Sequence, residues 1–323
     1  MEENKTPKTN LTKNHKLDST LFWKKTTIGL FIIIIFSQFF TVTITPKFNL
    51  PGSSQSQVVT DAVTGQVSSI DTAALASAVL PAEGVILPIT WSDLGKRIIQ
   101  DGVIDEQKFR AIFKGGLTNA DEQMLTGNSD QPIVLTEKNS RYVLDILWAF
   151  GLANKNDILE KGEMNDKEYG GAGNFASTGG WTLARGTGMD HYSKHAYVVL
   201  TSEQQALVDK VSKGIFRPCC GNSTHFPDCN HGMAMLGLLE LMAKNGVSEK
   251  EMYHVALKVN SYWFPTTYLD LATYFEEQGI KWDQVSSQEV LGAEYSSAQG
   301  YQQTRQKIQS LPEIQQSGGG CGA

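Results

Sequence analysis

Twenty consecutive residues from Thr26 to Thr45 (TTIGLFIIIIFSQFFTVTIT) carry no formal charge, and Ile32 to Phe36 are apolar on every side a helix can present. About 20 such residues cross the roughly 30 Å hydrocarbon core of a bilayer as an α-helix. The pattern predicts a transmembrane helix over 26–45. Six lysines precede it (Lys5, Lys8, Lys13, Lys16, Lys24 and Lys25), whereas Lys47 stands alone beyond it until Lys96. Positive residues stay on the cytoplasmic side. The expectation is a single-pass protein of the cell membrane, anchored in lipid through 26–45, with a cytoplasmic N-terminus and an extracytoplasmic C-terminal domain. A cleaved signal peptide is the competing reading. The apolar run is long for one and no small-x-small site follows before Pro46, which favours an uncleaved signal anchor.

Past the anchor, large apolar residues thin out. Residues 46–84 are dominated by Ser, Gln, Thr, Ala and Gly, a composition that buries too little surface to offset its ordering entropy. They read as a flexible linker, with a short helix around Thr72–Val79. From 85 to 295 helix signals recur and alternating strand patterns do not. Leu94 to Asp101 before Gly102, Asp105–Phe113, and a segment opened by Thr136 with Tyr142, Val143, Ile146, Leu147 and Phe150 follow helical spacing. Thr201 with Gln204 and Ser248 with Glu251 are capping boxes. A helix is predicted from Asn230 to Asn245, and another over Thr266–Gln278 after the break at Pro265. The fold class is all-α: one transmembrane helix, then a mainly helical domain. Residues 163–188 interrupt it as a long glycine-rich loop. Residues 1–25 form a basic cytoplasmic tail, and 296–323 a flexible Gly/Ser/Gln tail ending near Cys321.

Composition narrows the function by exclusion. The 323 residues carry 28 Lys+Arg against 34 Asp+Glu, a net charge of −6 with no long basic run, which argues against nucleic acid as a partner. Gly171 to Ala176 nominally fits a dinucleotide pattern, but no strand precedes it, and no P-loop occurs, so nucleotide is not expected. Ser177 lacks the first glycine of a nucleophile elbow, because position 175 is Phe.

The candidate chemistry is concentrated in Pro218 to Gly232 (PCCGNSTHFPDCNHG), which holds Cys219, Cys220, His225, Cys229 and His231 in the order C-C-x4-H-x3-C-x-H. Thiolate and imidazole suit transition metals, copper or zinc first and iron next. The helix starting at Asn230 would bring its N-terminal amides to Cys229 and favour thiolate there. Met233 and Met235 follow, and thioether with thiolate suits Cu(I). His191 and His195 stand four residues apart, one face if that segment is helical, with Asp190 beside them. Cys321 sits in a glycine-rich terminus from which it can reach another site. The alternative to a metal is a disulfide from Cys219 or Cys220 to Cys229, since the extracytoplasmic space is often oxidising.

With PCCGNSTHFPDCNHGMAMLGLLELMAKNG, GGAGNFASTGGW and MDHYSKH in view, the chain resembles a family of bacterial membrane-anchored proteins without an established activity. The resemblance covers roughly residues 85–323 and the anchor. It implies a bacterial, extracytoplasmic setting and no particular substrate, cofactor or mechanism. Three readings follow from the residues: a membrane-anchored metal-binding protein, a membrane-tethered thiol–disulfide exchanger with Cys321 as resolving thiol, and a non-enzymatic envelope interaction protein with a structural disulfide. No residue pair identifies a catalysed reaction, so the reading leans away from an enzyme.

Overall fold

The computed structural model describes residues 70–309, all within the compact unit Val67–Ala323. The predicted transmembrane segment and Cys321 lie outside the described residues. Among the described residues no helix is long and apolar enough to cross a membrane.

The domain is helix-rich. The chain forms α1 (Thr72–Val79), β1 (Val85–Leu87), α2 (Leu94–Gln100), α3 (Glu106–Ile112), α4 (Asn119–Thr126), β2 (Ile133–Leu135) and α5 (Ser140–Ala153). After the short α6 (Asp157–Lys161) and α7 (Ala176–Gly179) come α8 (Ser202–Lys213), α9 (Asn230–Lys244), α10 (Glu249–Trp263) and α11 (Pro265–Glu277). Three short helices close it: α12 (Ser287–Val290), α13 (Ala293–Ser296) and α14 (Ala298–Arg305).

At the centre lie α5 and α9, buried from Tyr142 to Ala153 and from Asn230 to Ala243. A helix apolar on nearly all sides must be wrapped by others. Here α8, α10 and α7 do part of the wrapping. The two central helices meet at glycines. A Cβ on Gly237 would stand 2.9 Å from the Leu147 carbonyl oxygen and 3.0 Å from the Gly151 Cα, so glycine on both sides allows the backbones to touch.

The helix-rich body agrees with the all-α expectation, and three details go beyond it. First, the domain carries one short strand pair, in which Val85, Ile86 and Leu87 pair antiparallel with Leu135, Val134 and Ile133. The strands alternate buried–exposed–buried, but three residues are too few for that alternation to stand out in sequence. Second, the folded body is wider than 85–295. Helix α1 is capped by the Asp71 side chain and buries Leu75 and Val79, and the Tyr262 hydroxyl donates to the Pro81 carbonyl at 2.6 Å. At the other end α14 is tied down by Tyr301 and Arg305, which donate to Asp270 Oδ2 at 2.7 and 3.0 Å. Third, the glycine-rich stretch 163–188 is not an open loop. It winds through 3-10 turns and α7, and its Trp181 packs edge-on against Trp148 at 4.8 Å while donating to the Val103 carbonyl. The helix expected to open at Thr136 starts at Ser140 instead, because Asn139 Oδ1 turns back to accept from the Thr136 amide at 2.7 Å.

Candidate metal centre

The cysteine loop is folded by its own backbone. After α8 ends at Gly214, Phe216 bridges Ser223, and the Thr224 amide donates to the Ile215 carbonyl at 2.7 Å. This reversal carries Cys219 and Cys220 back over Cys229, the residue that caps α9. The Cys229 sulfur accepts from the Gly232 amide at 3.4 Å, so the exposed end of the helix dipole faces it. A distant contact also holds the loop: the Ala298 amide donates to the Cys220 carbonyl at 2.9 Å.

The three sulfurs form a nearly equilateral triangle. Cys219–Cys229, Cys219–Cys220 and Cys220–Cys229 Sγ separations are 3.6, 3.8 and 3.9 Å. Metal–sulfur bonds of about 2.3 Å to a tetrahedral ion hold ligand sulfurs about 3.8 Å apart. A ring nitrogen of His231 lies within 4.8 Å of the Cys219 and Cys229 sulfurs, while a carboxylate oxygen of Asp228 lies within that distance of the Cys220 and Cys229 sulfurs. The imidazole is packed against Phe264 at 4.4 Å and Trp263 at 5.8 Å between ring centroids.

Beneath the triangle lies Arg217, with none of its side chain exposed. Its Nη2 donates to Asp228 Oδ1 at 2.5 Å, while Nε and Nη1 have no hydrogen-bond partner. Burial works against its charge, but the Cys229, Cys220, Asp228 and Cys219 side chains around it outweigh that and raise its pKa. Gly232 makes room for it, since a Cβ there would stand 2.7 Å from the guanidinium carbon. Asp228 accepts from Asn222 Nδ2 at 2.9 Å with its other oxygen and so braces the loop against the arginine.

These groups divide the thiols unequally. Hydrogen bonds from Cys219 and Cys220 hold the Cys229 thiol well below its ordinary pKa, with help from Arg217 and His231, although burial opposes them. Cys220 is pushed up to about 12: the Cys219 hydrogen bond lowers it, but its own bond to Cys229 and burial prevail. The neighbouring sulfurs, a helix N-terminus and a buried cation therefore all favour the thiolate form of Cys229, the form that binds a metal ion.

Other sequence candidates fall elsewhere. His225 turns away from the cysteines, and its Nε2 meets Asp209 Oδ1 at 2.7 Å on the rim of a cavity of about 760 Å³. The reason is local: its amide donates to the Ser212 carbonyl, which fixes it beside α8. His191 and His195 do not share a helix face. A 3-10 turn (Gly188–Asp190) leads into His191, and a turn then brings its Nδ1 to 3.3 Å from His195 Nε2. His195 Nδ1 lies 3.4 Å from Asp101 Oδ2, and neither histidine joins the cysteine group among the described residues. Asp190 binds the Thr187 amide and hydroxyl instead of an imidazole. Met233 and Met235 are fully buried in the hydrophobic core. Arg217 carried no signal in sequence: a lone arginine two residues before a cysteine looks like any surface cation.

Comparison with known proteins finds no match: no family model fits the chain, and no curated protein or solved structure is similar to it.

Proposed function

We propose that the protein binds a transition-metal ion through Cys219, Cys220, Cys229 and His231, in an extracytoplasmic domain anchored to the cell membrane by residues 26–45. The observation that carries this reading is the sulfur triangle, whose edges of 3.6 to 3.9 Å match three ligands of a tetrahedral ion, with the His231 imidazole within 4.8 Å of two of the sulfurs as the fourth. Zinc fits better than copper. Four ligands of this kind suit a closed tetrahedral site, and the thioethers that would favour Cu(I) are committed to the core. Arg217 offsets part of the charge of the thiolates. Cys219 and Cys220 are half-buried, so solvent can reach the site, as metal uptake or transfer requires.

The membrane anchoring and the bacterial setting rest on the apolar run, the flanking lysines and the motif resemblance. The thiol–disulfide reading is favoured by the depressed thiol of Cys229 beside Cys219. It is opposed by burial, because Cys229 is 5% exposed and a buried thiolate cannot attack an external disulfide.

Elemental analysis of the natively purified chain tests the reading. About one equivalent of zinc is expected, absent from Cys220→Ser/His231→Ala. Stoichiometric metal retained by that double variant, or none taken up by the reduced wild-type protein, overturns it. Turnover in an insulin-reduction assay would instead support the exchanger.

A further inference from the structure

The two central helices run parallel with a fixed offset. Gly151 faces Gly237, and three residues further along each helix Asn154 donates its amide to Glu240. Both pairs differ by 86 in number. Asp145 of α5 and His231 of α9 both lie six residues before this crossing and are both buried where the two helices pack. They are near enough for His231 to be one of the two side chains whose charge acts on the Asp145 carboxyl.

Asp145 is otherwise hard to account for. It is 2% exposed in a helix whose other buried residues are almost all apolar. Its Oδ2 has no hydrogen-bond partner, and Arg141 Nε stays 3.8 Å away on a side chain that is mostly in water. Burial raises its pKa to about 7. Leaving a buried carboxyl oxygen unsatisfied is costly, so a group that completes it is expected nearby. The His231 ring is held between aromatic side chains with one edge toward the sulfurs. A metal-binding imidazole characteristically donates its second N–H to a carboxylate, which fixes its tautomer and strengthens it as a ligand.

We propose that Asp145 is the positioning residue of the metal centre, accepting the second ring N–H of His231 when the first nitrogen binds the ion. This rests on the metal reading above. The carboxylate adds a negative charge behind the imidazole, which fixes its tautomer and strengthens it as a ligand.

Cobalt(II) uptake by the reduced full-length protein in detergent tests it. Wild type should show sulfur-to-cobalt charge transfer and the visible bands of a tetrahedral ion. Asp145→Asn should keep the charge transfer, shift the visible bands, and bind about 10- to 100-fold more weakly against a competing chelator. In a His231→Ala background the same change should have no further effect, which a merely structural role would not produce. Asp145→Ser is the second variant and should behave as Asp145→Asn does. Unchanged affinity and bands in both variants, or an undiminished loss in the His231→Ala background, overturns the inference. A wild-type protein that takes up no cobalt overturns the metal reading itself, and the inference with it.

Discussion

Glu240 sits in the middle of α9 with no exposure, its carboxylate bonded to Asn154 and beside Asn156. Burial lifts its pKa well above the ordinary 4.5, and the two amides only partly oppose this. The folded protein therefore keeps a proton that the unfolded chain releases above that value. Its contribution to stability is complete below pH 4.5 and is lost as the pH rises toward the raised folded value, by about 1.4 kcal/mol for each pH unit of that interval. Glu240→Gln keeps an acceptor for Asn154 and removes the titration. Its melting temperature should exceed that of wild type at pH 8 and differ little at pH 4.5. Equal pH dependence of the two would show that Glu240 is not the group responsible. Residue identity alone carried some of the site: the crowding of Cys219, Cys220, Cys229 and His231 was legible. That His225 belongs to Asp209 was not, because two side chains sixteen residues apart are paired only by the way the loop crosses α8.

Helices were easier to read than the contacts between them. The caps at Thr201 and Ser248 are present as sequence signals and as hydrogen bonds, because capping is local. The pairing of α5 with α9 depends instead on two glycines 86 residues apart, which in sequence look like weak points in helices. Gly237→Val would force a branched side chain against the Leu147 carbonyl and the Gly151 backbone. Overpacking of this kind should cost about 2–3 kcal/mol. It should also weaken metal binding without touching a ligand, because it shifts His231 relative to α5. Denaturant melts and chelator competition on one preparation measure both effects. A destabilised variant with unaltered affinity would show that the site is held by the cysteine loop alone.

Across the whole molecule, the segment before residue 85 matters more than its composition suggested. Leu75 and Val79 pack on the core, and Tyr262 reaches back to Pro81. A chain spanning 84–309 should be about 3 kcal/mol less stable than one spanning 70–309, a melting point lower by about 6–12 °C in a domain of this size. Coincident thermal melts would mean that α1 is dispensable. The low-apolar stretch misled because a short amphipathic helix needs only two buried residues when a surface is waiting for it.

What the sequence determined by itself is whatever depends on neighbours a few residues apart: the periodicity of α5, α9, α10 and α11, their caps, and the presence of several soft donors in one loop. Tertiary structure decided everything that joins distant segments. It gathered the sulfurs of Cys219, Cys220 and Cys229, set a His231 ring nitrogen within 4.8 Å of two of them, buried Arg217 beside them, and separated His191 and His195 from the group. Local hydrogen bonds and periodicity are written in short windows of residues. Which side chains share a buried volume is set by the packing of α5, α8 and α9 around it, and that packing depends on shape at positions such as Gly151, Gly232 and Gly237, where what matters is the absence of a side chain.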